Sequence, residues 1–131
     1  MSAALPTWLS VAIAGALGVL ARFALGGWLA RATGGLFPWE TMIINVSGCF
    51  AIGALAGAID RGALLSPALR MALLVGFLGG YTTFSSFALE ALRLVQDAQW
   101  RSAALYVLGT NAAGLVAVWA GYQGVRLVSS A

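Results

Sequence analysis

GFLGGYTTFSSF, residues 76–87, packs three glycines, two threonines and two serines between aromatic rings inside an otherwise apolar segment. Glycine and hydroxyl residues at that density weaken an uninterrupted helix and bring in groups that can bind a small ion. The apolar segment around them covers about 68–95, roughly 28 residues, whereas one straight perpendicular crossing of a bilayer needs about 20. The surplus falls on residues 79–83. It predicts a membrane helix broken there, with backbone carbonyls and amides released at membrane depth where protein, water or an ion must take them up. A glycine-kinked packing helix is the competing reading of the composition.

The membrane enters through the rest of the chain. Of 131 residues, 61% are hydrophobic and 8% charged, against about 25% charged in a soluble domain. So much apolar surface exceeds what a core of one small domain hides, and most of it should face lipid or partner helices. Seven arginines, no lysine and four acids give a net charge of +3. The arginines stand singly at the ends of apolar runs, as interfacial anchors do, and not in the patch that nucleic acid would need. Cys49 is the sole cysteine and there is no histidine, which excludes an intrachain disulfide and a transition-metal site; Cys49 reads as a small packing residue. No nucleophile has a base beside it, so an enzyme is not expected.

Working outward, three more apolar runs flank this one. The first, about 6–30, has Pro6 and Thr7 at its start and Trp8 and Trp28 near its ends. It lacks a basic residue before Arg22, so it is expected to be a retained span and not a secretory signal. Its Ala14, Gly15, Gly18 and Ala21 form small-xxx-small spacings for close helix contact, and Arg22 must snorkel or pair. The second, about 40–59, carries Thr41, Asn45 and Gly48 on one stripe, then Gly53 and Gly57 as a GxxxG. An amide at membrane depth, as on Asn45, is kept where it finds a partner, either another helix or an ion. The fourth, about 103–125, repeats the pattern with Tyr106, Thr110 and Gly114, and Asn111 lies beside that stripe. Past the break, Phe84, Phe87 and Glu90 share one face if the helix resumes. The last few residues, 129–131, read as a short frayed tail. The result is an all-α integral membrane protein, one domain over residues 1–131 with four spans.

With four spans, Arg61, Arg70 and Arg126 fall on one side of the membrane, and Arg22, Arg31, Arg93 and Arg101 on the other. Lys/Arg imbalance sets orientation, and three against four gives almost no instruction. Insertion in both orientations and assembly as an antiparallel homodimer follow as expectations, because four short helices make a thin bundle around a polar path.

The stretch GFLGGYTTFSSF with Glu90 behind it, WETMIINVSG at residues 39–48, and the Tyr106/Thr110 pair together resemble the Fluc (CrcB-type) fluoride channel family over nearly the whole chain. The resemblance implies an antiparallel, dual-topology homodimer in the bacterial inner membrane, with two fluoride pathways that export fluoride and one central structural sodium ion. It implies that the backbone carbonyls of Gly79 and Thr82 from both chains hold the sodium. Phe84 and Phe87 match the family's paired pore phenylalanines, whose ring edges carry partial positive charge. Asn45 matches its pore asparagine, Thr83 its pore hydroxyl, and Tyr106 and Thr110 its fourth-helix polar track; Ser86 and Thr41 are counted with them as pore hydroxyls. Arg22 and Glu90 match its vestibule arginine and third-helix acid.

Two positions depart from the family pattern. Glu40 replaces the usual glycine, and a carboxylate near a pore mouth repels anions unless paired or turned away. Gly114 stands where the track can carry another hydroxyl. The runner-up reading is a proton-coupled small multidrug-type transporter, which needs a membrane-embedded carboxylate; the first span has none and Glu90 lies toward the outer part of the third. A passive scaffold subunit would use the small-residue faces but leave the hydroxyl-rich break without purpose.

Overall fold

The computed structural model describes residues 5–35 and 37–128, so the tail expected at 129–131 lies outside the described residues. Among the described residues, four helices are long and apolar enough to cross a membrane. They are α1 (Thr7–Thr33), α2 (Trp39–Asp60), α3 (Pro67–Gln96) and α4 (Trp100–Val128). Local chemistry sets their ends. Pro6 precedes α1, and Gly34 closes it in the left-handed conformation with φ 52°, its N–H donating to the Ala30 carbonyl. Ser66 caps α3 by accepting from the Leu69 N–H, with Pro67 at the first helical position. The loop between α3 and α4 is only residues 97–99, because both helices run past the expected span ends at about 95 and 103.

Two tight helix pairs make the bundle. In α2 against α4, a side chain at Gly53 would run into the Val118 backbone, one at Gly57 into Tyr122, and one at Gly121 into Phe50. The GxxxG of α2 is therefore a true point of backbone approach, which is how helices associate where lipid removes the hydrophobic drive. In α1 against α3, Gly18 lies on the Phe77 backbone and Gly80 on the Gly15 backbone. Here α3 widens into a π turn over Ala72–Phe77 before tightening again at Leu78–Tyr81. The outward faces stay apolar and uncovered, with Phe23, Leu108 and Trp119 all largely exposed.

The third span breaks, but the break is narrower than residues 79–83. Gly79, Gly80 and Tyr81 remain helical, and the chain is extended only at Thr82 (φ −86°, ψ 158°) and Thr83 (φ −150°, ψ 112°), after which Phe84–Gln96 resumes. The physical reason is a division of labour. Gly80 is small because α1 presses on it, whereas two successive β-branched residues favour extended backbone. The Thr82 hydroxyl donates back to the Leu78 carbonyl at 2.9 Å, a bond that competes with helix continuation. The Thr83 hydroxyl accepts from the Ser86 N–H and starts the next helix as its N-cap.

Candidate functional site

An extended pair of residues inside a membrane needs partners for its backbone, and Asn45 on α2 supplies them. Its Nδ2 donates to the Thr83 carbonyl at 3.0 Å, and its Oδ1 accepts from the Thr83 N–H at 2.8 Å. The carboxamide thus pairs with Thr83 as a neighbouring strand would, and one Nδ2–H is left over. Beside it, Gly48 makes room for the Thr82 methyl, since any side chain at 48 would collide with Thr82 Cγ2.

The clamp also leaves carbonyls behind. In a continuous helix the Thr83 N–H would close on Gly79 and the Ser86 N–H on Thr82. Thr83 instead donates to Asn45 and Ser86 to the Thr83 hydroxyl. Gly79 and Thr82 lose their helical donors to these bonds, as Gly80 and Tyr81 lose theirs to the break itself, and among the four Gly79 is exposed with open space beside it.

A cleft of about 440 Å³ opens along this break between α2, α3 and α4. Asn45, Gly79, Thr82, Thr83, Phe84, Phe87 and Thr110 are among the residues that line it. Phe84 is 78% exposed while Phe87 is buried, their ring centroids 5.6 Å apart. Thr110 is buried, and its hydroxyl has no hydrogen-bond partner among the described residues. A helical threonine can turn its hydroxyl back to the carbonyl four residues before it; Thr110 does not.

The other expected residues form a second, deeper cluster that does not line the cleft. Glu90 accepts from the Thr41 hydroxyl at 2.9 Å through Oε1 and from the Tyr106 hydroxyl at 2.6 Å through Oε2. Tyr106 is fully buried, walled by Phe37 and Phe87, whose ring centroids lie 5.5 and 5.1 Å from its own. Its single proton is committed to Glu90. Phe87 is the wall shared by cleft and cluster. Ser86 is held by Thr83, accepting from its hydroxyl at 3.0 Å. Arg22 is half-buried on α1, forms no ion pair or hydrogen bond with another described residue, and stands apart from both groups. Glu40 lies in the first turn of α2, where the helix dipole favours a carboxylate.

Two polar contacts and one lining residue escaped the sequence. Ser47 and Tyr81 share a hydrogen bond at 2.8 Å across α2 and α3; nothing in the pattern of either helix pairs them. Asn111, beside the polar stripe, spends an amide proton on the Val107 carbonyl of its own helix. Cys49 lines the cleft. Among the described residues no three of His, Cys, Asp and Glu gather as a metal site, and the residues that line the cleft include no charged side chain.

The sequence model of the family described as CrcB-like protein, Camphor Resistance (CrcB), matches residues 9–122. Among similar proteins, the Fluoride-specific ion channel FluC of Geobacter sulfurreducens is 44% identical over 120 residues, covering 92% of this chain and 97% of its own. That of Acidobacterium capsulatum is 47% identical over 123 residues, covering 93% and 98%. The protein of the same name from Nitratidesulfovibrio vulgaris is 47% identical over 116 residues, covering 88% and 94%.

Proposed function

The chain belongs to the CrcB-like family, and on that premise we propose that it is a passive, fluoride-selective channel that exports fluoride and lowers its cytoplasmic level. It is a multi-pass protein of the inner membrane, and channels of this family are not enzymes. The observation that carries the reading is the cleft at the helix break, where a buried hydroxyl without a partner on Thr110 and the spare amide proton of Asn45 lie among phenyl rings and threonines. A small, strongly hydrated anion crosses only if donors replace its water, and it leaves only if none binds it too tightly. Neutral hydroxyls, an amide and ring edges meet both demands. Thr83, Phe84, Phe87, Asn45 and Thr110 are assigned to the path; Thr41, Ser86 and Tyr106 act behind it, holding Glu90 and the helix start in place. The test is fluoride efflux from liposomes containing the purified protein, with chloride as control. Rapid, passive, fluoride-selective flux is expected; flux that needs a proton gradient would make the protein a carrier instead.

The working unit we propose is an antiparallel homodimer with two pores. Support comes from the exposed Phe84 ring, which leaves one side of the cleft without a wall in a single chain, and from the nearly even arginine split. In vesicles of a Cys49→Ala background carrying one terminal cysteine, an impermeant thiol reagent should reach about half the chains from either side. Labelling confined to one side would refute dual insertion.

A central sodium ion is part of the proposal, held by the Gly79 and Thr82 carbonyls of both chains. The residues fit a hard cation, which takes oxygen ligands, because these are the carbonyls whose helical donors the Asn45 clamp and the Thr83 cap divert. Bound there, the ion would tie the two helix breaks together and set positive charge between them. Thermal stability in detergent should therefore rise with sodium and not with potassium. Thr82→Ala should keep that dependence, since its carbonyl remains; a melting temperature indifferent to the cation would remove the ion from the proposal.

A further inference from the structure

We infer that Cys49 forms a wall of the anion path, its thiol standing against Gly114; the inference rests on the channel reading above. Cys49 is half-buried on α2 and packs beside Gly114 on α4, and both line the cleft. A Cβ built on Gly114 would lie 3.3 Å from Cys49 Sγ, tighter than ordinary contact, so a side chain there would press on the sulfur and one of the two would have to give by a few tenths of an ångström. One turn earlier on α4 is Thr110, buried, lining the same cleft, with a hydroxyl that no described residue satisfies. The orphan hydroxyl points to a ligand in this part of the cleft. Beyond it the lining is Ile52, Leu115 and Val118, which offer no donor. The Cys49 S–H makes no hydrogen bond with another described residue and is a weak donor. It continues the line of donors from Thr110 where Gly114 supplies none. Cysteine is also small, so cleft width at this level is set jointly by a glycine and a thiol.

The chain has one cysteine, so wild-type protein reacts at a single site. Reconstituted protein is treated with an anionic sulfonatoethyl methanethiosulfonate, or with a cationic trimethylammonioethyl one of similar length. The Sγ thiolate attacks the sulfenyl sulfur, a disulfide forms, and methanesulfinate leaves with the bonding electron pair; the thiolate is the reactive form and needs water to exist. Intact mass gives the extent of labelling. Near-complete labelling is expected, with the anionic adduct lowering fluoride efflux at least fivefold and clearly more than the cationic adduct, and with dithiothreitol restoring the rate. Cys49→Ala, read against its own untreated rate, should lose both labelling and sensitivity. Full labelling with unchanged flux would overturn the inference. Equal losses from both adducts would make Cys49 a packing residue, and refusal of both reagents by a conducting protein would place the thiol outside the water-filled path. Untreated wild type that carries no fluoride would instead sink the channel reading, and this inference with it.

Discussion

Asn45→Asp lowers fluoride efflux by at least about a hundredfold. The carboxamide of Asn45 donates to the Thr83 carbonyl and accepts from the Thr83 N–H, and in the proposed path its remaining proton serves the anion. An aspartate carboxylate keeps the acceptor and loses both donors. Its second oxygen would face the Thr83 carbonyl across the 3.0 Å now spanned by a hydrogen bond, two acceptors with no proton between them. Its charge repels the permeating anion, and a barrier raised by about 3 kcal/mol is about a hundredfold in rate, at 1.4 kcal/mol per tenfold. Asn45→Ala removes the clamp without adding charge and separates the two effects, and its loss should be smaller. The rates are compared at equal amounts of monodisperse protein in liposomes. Wild-type efflux in Asn45→Asp would show that Asn45 does no more than tie α2 to the break.

How far these features could be read before folding depends on whether they lie within one helix or between two. The four spans were legible because hydropathy and length are local, and so was the existence of a break in the third. Its extent is less legible: the glycine and hydroxyl run points to 79–83, whereas the interruption occupies only Thr82 and Thr83 within it. Gly80 is small because of α1, and no pattern inside α3 says so. The stripes on α2 and α4 were visible, but their depth and rotation were not. Thr41 and Tyr106 turn out to converge on Glu90, while Asn45 and Thr110 line the cleft, although the four look equivalent in sequence. That an amide at Asn45 needs a partner follows from solvation alone; that the partner is the main chain of Thr83 depends on how α2 crosses α3. Cys49 was read as packing because its character depends on the glycine opposite, 65 residues away.

Thr110→Val provides the second large effect, and it opposes stability to function. The Thr110 hydroxyl is buried without a partner among the described residues, which costs a folded protein about 1–3 kcal/mol in desolvation. Valine has nearly the same shape and no polar atom. If the hydroxyl had only a structural history, replacing it should raise thermal stability and change nothing else. If it is held unpaired for a passing anion, the variant should be as stable as wild type or more so, yet conduct at least tenfold less, because a hydrogen bond to a charged group contributes about 1.5–3 kcal/mol and each 1.4 kcal/mol is tenfold. Melting temperature and fluoride efflux measured on one preparation decide the matter. A variant that is both more stable and fully conducting would remove Thr110 from the path. A less stable variant would mean that the hydroxyl has a structural partner in the assembled protein, and the orphan would no longer point to an anion. The predicted outcome, gain in one quantity and loss in the other, is what a site that keeps a donor unpaired for its ligand should show.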